Sequence, residues 1–390
     1  MAEPVGIIRA YTAFWKRWRT VRSVNTVTEC IPTLPVIGPD APVASQKEHG
    51  RQMELNIEDF DALQPYLAQR TNRGKPVSFE KLQGGVSNRT VRIMWQDGCA
   101  WVLKQALSKL RVDVDWFSSP ERIQVEAKAL RWLNRVAPPG STPCFIFEDV
   151  TNHLMSMEAI PAGHENWKSV LLSGQVVSDH FEQFGSLLGI IHRRSAEAAL
   201  ELGRAFADTT HFETLRLDPY YLYTARKVAP AASFLHRLAD ETLGQKLSLV
   251  HGDFSPKNTL IYQGRLILLD HEVVHFGDPA FDVGFALSHF LSKGHHLRSR
   301  RLSLLEATAL FWRMYFREIS PLGWDAIEAR AVRHALGCLL ARVAGKSPLK
   351  YLTMLEVGRQ RDVVLQMITN PPPRIDDLIH DFLQQVEDHA

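Results

Sequence analysis

The sequence predicts an α+β chain of two lobes, a small β-rich lobe carrying one helix and a larger, mainly α-helical lobe. Three observations carry this. From Pro76, VSFEKLQ, RTVRIMW and AWVLKQ read as short strands, with an Asp97-Gly98 turn between the second and third, a strong hairpin signal. A helix signal then opens at Ser119 and Pro120, as cap and first-turn residue, and runs to about Val136, followed by two more strand patterns, CFIFED and HLMSMEAI. The sum is a five-stranded antiparallel sheet with one helix. Beyond Pro161 the apolar spacing is helical (about 175 to 194, 232 to 244, 302 to 318, 324 to 345 and 350 to 368), interrupted by TLIYQGRLILLD, a hairpin turning at Gln263-Gly264.

Composition sets the outer bounds. The 390 residues carry 45 Lys+Arg against 43 Asp+Glu, a formal +2, with 45% hydrophobic residues, as in an ordinary soluble globular chain of two or three folding units. So balanced a charge gives no footprint for nucleic acid, and no apolar run approaches the roughly 18 residues of a membrane span. Cys30, Cys99, Cys144 and Cys338 are too few and too scattered for a disulfide scaffold or a zinc site, which suits a reducing, cytoplasmic setting. Residues 1 to 24 hold five bases (Arg9, Lys16, Arg17, Arg19, Arg22) and one acid on a short amphipathic pattern, either a weak surface anchor or an extension without a role. A proline-rich linker follows, so the expected organisation is 1–52 as helix and linker, 53–160 as the small lobe and 161–390 as the large one.

The densest polar cluster is LVHGDFSPKNTLIYQGRLILLDHEVVHFGDPAFD. Asp253 and Asn258 lie five apart in a loop, and Asp270 ends the second strand of the following hairpin. Phosphoryl transfer from a nucleotide needs a carboxylate to orient the acceptor hydroxyl and take its proton, together with hard oxygen ligands for Mg²⁺. Asp253 suits the first task, Asn258 and Asp270 the second, and Glu272 could add a second metal contact. Ordinary loop chemistry is the alternative. In the small lobe, Lys104 sits on a strand where its ammonium can reach phosphates. Glu126 falls inside the apolar stripe of Ile123, Ala127, Leu130 and Leu133, where a carboxylate requires a cation, and Lys104 is the candidate.

These residues resemble the aminoglycoside phosphotransferase and choline kinase family, relatives of the protein kinases. LQGGVSNRTVRI resembles its nucleotide loop, HGDFSPKN its catalytic loop, LLDHE its metal-binding strand end and GDPAFDVG its following helix start, over roughly residues 77 to 293. WVLKQALSKLRVD is also similar to 5-methylthioribose kinase, whereas HGDFSPKN departs from that enzyme's usual catalytic loop. The resemblance implies a protein-kinase-like fold and an ATP- and Mg²⁺-dependent transfer of the γ-phosphate to a hydroxyl of a small molecule of aminoglycoside, sugar or amino-alcohol type. It makes Asp253 the catalytic base and Asn258 and Asp270 the Mg²⁺ ligands. Lys104 would then hold the α/β-phosphates, fixed by Glu126. Gly84, Gly85, Ser87 and Asn88 would form the nucleotide loop, and Met157 to Ile160, with Glu158, the hinge that meets adenine.

Neighbouring residues have simpler readings. Asp278 before Pro279 is an N-cap pattern. Asp282 is explained by the helix dipole, although the family's matching Asp braces the active-site loop. His251 supports its loop, Ser255 and Lys257 line the phosphate region, and His289, His295 and His296 read as a polar helix end. A protein kinase would need a G-x-G-x-x-G loop and a long segment ending in A-P-E; only eight residues separate Asp270 from Asp278. A nucleotide-binding pseudokinase without turnover is the other alternative. No code for the acceptor is legible, the acids Glu182, Asp218 and Glu306 reading as solvated surface.

Overall fold

The protein is described by a computed structural model covering residues 55–82, 85–111 and 115–388. The expectations for residues 1–52, Cys30 and Gly84 lie outside the described residues. The chain divides into two compact units, residues 1–83 with 90–103, and residues 84–89 with 104–390.

The expected strands form a five-stranded sheet in the order β1-β2-β3-β5-β4. These are β1 (Ser78–Lys81), β2 (Asn88–Met94), β3 (Ala100–Ala106), β4 (Phe145–Asp149) and β5 (Leu154–Glu158). β1 pairs antiparallel with β2, and β4 with β5 through an irregularity between Phe145 and Phe147. In the first unit the turn forms as expected: Trp95 N–H donates to Cys99 O (2.9 Å), Cys99 N–H to Asp97 Oδ1 (2.9 Å), and Trp95 and Trp101 meet edge to face. Helix α1 (Phe60–Arg70) was not anticipated; Asp59 caps it by accepting from Asp61 N–H and Ala62 N–H. Pro65, the sixth of its eleven residues, has no N–H to give to Asp61 O and obscures the helical signal.

In the second unit, α2 (Arg122–Val136) begins two residues later than Pro120, because Ser119 to Glu121 close a tight turn in which Ser119 Oγ accepts from Glu121 N–H. Its buried face is the predicted stripe, Glu126 included. The short helix α3 (Trp167–Leu172) precedes α4 (Ser178–Glu197), α5 (Ala232–Gly244), α6 (Pro279–His296), α7 (Arg301–Ile319), α8 (Ile327–Ala344), α9 (Met354–Met367) and α10 (Ile375–Asp388). Helix α10 was unanticipated although Ile375, Leu378, Ile379, Phe382, Leu383 and Val386 keep helical spacing and are all buried. Asp278 caps α6 through Ala280 N–H, with Pro279 at the first position, as the sequence predicts.

Five short strands complete the frame around the polar cluster. β6 (Glu165–Asn166) joins the hairpin of β8 (Thr259–Tyr262) and β9 (Arg265–Leu268), and β7 (Ser248–Val250) pairs with β10 (His275–Gly277). The β8–β9 turn has positive φ at Gln263 (50°) and Gly264 (71°), the two-residue geometry that matches strand twist and that glycine adopts freely. One continuous apolar core, from Ala129 to Val386, buries the faces of α4, α6, α7 and α8 together. Among the described residues no helix is long and apolar enough to cross a membrane.

Candidate active site

The loop HGDFSPKN leaves β7, whose Val250 pairs with His275 of β10. Its first two amides, His251 N–H and Gly252 N–H, donate to the two carboxylate oxygens of Asp282 at 2.6 and 2.8 Å. Asp282 is fully buried in the first turn of α6, and His192 Nε2 lies 3.3 Å from it. The carboxylate thus fastens the loop to the helix, which a dipole effect alone does not explain. His251 Nδ1 accepts from Asp253 N–H (3.2 Å), the supporting role expected for it.

Asp253 is held from two sides. Asn258 Nδ2 donates to its Oδ2 at 2.6 Å, and the Arg216 guanidinium pairs with the same oxygen at 2.8 Å. Burial would raise the carboxyl, but Arg216 first and then Lys257 hold it below the usual carboxylate range. It therefore stays ionised at neutral pH, able to accept a hydroxyl's hydrogen bond. Asn258 closes a single 3₁₀ turn (Pro256–Asn258), and its carbonyl accepts from Leu269 N–H at 2.8 Å, which sets Asp270 beside it. Asp270 takes a left-handed φ of 68°, uncommon for a non-glycine residue and most frequent where function demands it.

Lys104 brings the remaining groups together. From β3 its Nζ lies 2.6 Å from Glu126 Oε1 and 2.6 Å from Asp270 Oδ1. Burial opposes its charge, yet Asp270 and then Glu126 push its pKa above that of an ordinary lysine. Glu126 is pushed up to about 7 by burial against the pull of Lys104, and Asp270, whose desolvation is overcome by Lys104 together with Lys257 and Arg216, is held well below the carboxylate range. At neutral pH the net state is a cation shared mainly with Asp270.

The nucleotide-loop residues are held from behind. Ser87 and Asn88 are buried; the Ser87 carbonyl accepts from Leu107 N–H (3.0 Å) and from Arg122, and Asn88 Nδ2 donates to Ser87 Oγ and to Glu272 Oε2, each at 3.1 Å. Glu272, expected as a second metal contact, is tied on that same oxygen by Arg122 Nε at 3.1 Å. A placed Cβ at Gly85 would meet nothing closer than Asn88 O at 4.0 Å, so the loop is open there. Glu158 ends β5 with its N–H bonded to Cys144 O, burial raising its carboxyl, and Ile160 follows half-buried. Ser255 is buried with its Oγ unpaired, and Lys257 is exposed. Among the described residues no group of three His, Cys, Asp or Glu side chains is arranged for a metal.

The donors nevertheless suit a hard divalent cation held jointly with phosphates. Asn258 spends its amide N–H on Asp253, leaving its carbonyl oxygen as a donor, and Asp270 spends Oδ1 on Lys104, leaving Oδ2. One carboxylate and one amide oxygen are what Mg²⁺ needs when substrate phosphates complete its shell.

Arg216 and Arg122 had no signal in the sequence. Arg216 lies in a widened π-type helical stretch, Glu213–Leu222, which contains Pro219. Its Nε also donates to Gly252 O at 2.7 Å. Arg122, fully buried, donates to the carbonyls of Ser118, Ser119 and Leu107 besides its partners above.

The model of a family described as the phosphotransferase enzyme family matches residues 78–311, three fifths of the chain. The chain belongs to the phosphotransferase enzyme family. Its similarity to methylthioribose kinase extends beyond the small lobe: that of Klebsiella pneumoniae subsp. pneumoniae is 24% identical over 247 residues, 56% of this chain and 61% of the relative. That of Cronobacter sakazakii is 25% identical over 242 residues, 55% and 60% of the two chains. The chain thus spans about three fifths of the length of these curated relatives. A solved structure of amicoumacin kinase hAmiN in complex with AMP-PNP, Ca²⁺ and Ami superposes with a TM-score of 0.54 at 16% identity, covering 81% of this chain and 96% of that one. That likeness extends to the fold, which is the two-lobe α+β fold the motifs imply.

Proposed function

We propose that this member of the phosphotransferase enzyme family is a small-molecule kinase that moves the γ-phosphate of ATP to a hydroxyl group in a Mg²⁺-dependent reaction. The observation that carries the reading is the linked pair of clusters, Lys104 with Glu126 and Asp270, and Asp253 with Asn258 and Arg216, joined by the Leu269 to Asn258 backbone bond. The lobes of the reading are 53–160 and 161–390, and its setting is the cytoplasm.

Asp253, kept ionised by Arg216, orients the acceptor hydroxyl and takes its proton as the oxygen attacks γ-phosphorus. Lys104, oriented by Glu126, binds the α- and β-phosphates. Gly84, Gly85, Ser87 and Asn88 cover the phosphates, and Glu158 to Ile160 receive the adenine. Mg²⁺, held by Asn258 and Asp270, supplies neutralisation of the charge that builds on the phosphates. Glu272, already bonded to Arg122 and Asn88 on one oxygen, has its second oxygen left for any further metal contact.

Paired variants test the assignment. Asp253→Asn should abolish transfer, a loss of about 10² to 10⁴ in rate, with Mg·ATP affinity within a few fold of wild type. Asp270→Asn should weaken Mg·ATP far more than adenosine, the apo protein still unfolding cooperatively although loss of the Lys104 pair lowers its thermal midpoint. Equal weakening of both ligands by Asp270→Asn, read by calorimetry, refutes the metal assignment.

A further inference from the structure

Two buried cations of the large unit, Lys293 and Arg342, have no carboxylate partner among the described residues. Lys293, in the last turn of α6, has no exposed surface, and its ammonium donates to its own helix, to His289 O at 3.2 Å, with the Tyr351 ring 5.8 Å away. Arg342, in the last turn of α8, is 6% exposed. Its Nη2 donates to His289 Nε2 (2.8 Å), its Nη1 to Ser347 O (3.0 Å), and its buried Nε has no partner. His289 therefore bridges the two, and the rings of Tyr220 and Phe285 line the guanidinium at 4.9 and 5.2 Å. Lys168 and Arg342 are cations that bear on Lys293, and half-buried Lys168 stands in the first turn of α3, whose cap residue Asn166 donates through Nδ2 to Lys257 O of the HGDFSPKN loop at 2.8 Å.

The carboxylates of the surroundings are already committed. Asp253 is paired with Arg216, Asp218 with Lys346 and Arg226, and Glu356 with His296 and Thr353 N–H. Burial and like charge pull Lys293 down to about 7, and they hold His289 well below its ordinary value. A buried cation left without a counter-charge is costly, and an arginine fork is shaped to take a carboxylate or phosphate. The cluster also adjoins the reaction centre, since the Tyr220 ring under Arg342 follows Arg216, the partner of Asp253, by four residues in the same helical stretch.

We propose that Lys168 and Arg342, with Lys293 adding its charge from the interior, form the acceptor subsite and that the acceptor is anionic, a hydroxy compound bearing a carboxylate or phosphate group that rests on Lys168 and Arg342 while its hydroxyl meets Asp253. The proposal rests on the kinase reading. In the transfer the hydroxyl oxygen bonds to γ-phosphorus, the bond from γ-phosphorus to the bridging oxygen breaks, ADP leaves with that electron pair, and the hydroxyl proton passes to Asp253. The half-buried Tyr351 ring beside Lys293 offers apolar surface to the carbon skeleton. Of the acids considered for a cationic acceptor, Asp218 is paired with Lys346 and Arg226, Glu306 is exposed and Glu182 is half-buried.

The test uses the full chain saturated with Mg²⁺ and a non-hydrolysable ATP analogue, so that the phosphate site is filled. Gluconate, glucose 6-phosphate, glucose and glucosamine, six-carbon hydroxy compounds with four charge states, are titrated by calorimetry. Gluconate or glucose 6-phosphate should bind at least tenfold more tightly than glucose and glucosamine, and which of the two wins distinguishes carboxylate from phosphate. Arg342→Gln and Lys168→Gln should remove that preference while nucleotide affinity holds within about twofold. Lys293→Met should also remove it, and should raise the apo thermal midpoint, because an uncompensated charge is lost. Neutral or cationic sugar binding as tightly as both anions, an anion preference unchanged in Arg342→Gln, or a lowered midpoint in Lys293→Met each overturns the proposal. Failure of the nucleotide itself to bind with Mg²⁺ would instead overturn the kinase reading.

Discussion

Replacing Asp282 with asparagine tests whether the catalytic loop is fastened to α6 by charge. The wild-type carboxylate is fully buried and accepts from His251 N–H at 2.6 Å and Gly252 N–H at 2.8 Å, one amide on each oxygen. Asparagine keeps the volume and one acceptor but turns an NH₂ toward the other amide, so one charge-assisted bond becomes a donor facing a donor. A hydrogen bond to a charged group contributes about 1.5 to 3 kcal/mol, and the stranded buried N–H adds about 1 to 3. The expected loss is about 3 to 5 kcal/mol in urea unfolding, with an unchanged slope if the fold is retained. Because the strained amides directly precede Asp253, phosphoryl transfer should fall by about 10² even where the protein is fully folded, with nucleotide affinity nearly intact. A stability change under 1 kcal/mol together with wild-type turnover would refute the brace.

Three further outcomes follow from the geometry. Gly189→Ala should destabilise by about 1 to 3 kcal/mol by thermal or urea unfolding despite alanine's helix propensity, since its Cβ would stand 2.6 Å from Glu318 Cβ and 2.9 Å from Tyr315 O where α4 crosses α7. Acidification should unfold the protein early: burial lowers His275 from 6.5 to about 4, so between those values only the unfolded chain takes up this proton and stability falls with falling pH, about 3 kcal/mol in all. His275→Gln should flatten that part of a stability-against-pH curve. Lys104→Met strands Glu126 and Asp270, costing about 3 to 5 kcal/mol and less as falling pH lets Glu126, freed from the pull of Lys104, take a proton; adding Glu126→Gln should recover stability without restoring transfer.

The sequence by itself determined the elements whose signal is local or periodic. The Asp97-Gly98 and Gln263-Gly264 turns, the buried stripe of α2 with Glu126 inside it, the Asp278-Pro279 cap and the longer helices all follow from backbone preference or apolar spacing, which the chain carries wherever it sits. Chemical type also let Lys104, Glu126, Asp253, Asn258 and Asp270 be singled out, because a carboxylate on an apolar stripe and hard oxygens clustered around one loop are unusual enough to require partners. Tertiary structure decided everything set by contacts across long stretches of chain. Arg216 reaches Asp253 over 37 residues, Arg122 reaches Glu272 over 150, and Asp282 became the fastening of the catalytic loop where helix-end chemistry would have satisfied the sequence alone. Strands β7 and β10, three residues each, are too short to show a period and exist because each pairs with the other. The acceptor cations were invisible for the same reason: Lys168, Lys293 and Arg342 look like solvated surface in one dimension. Only the packing of α6 on α8 takes water and counter-charge away from Lys293 and Arg342.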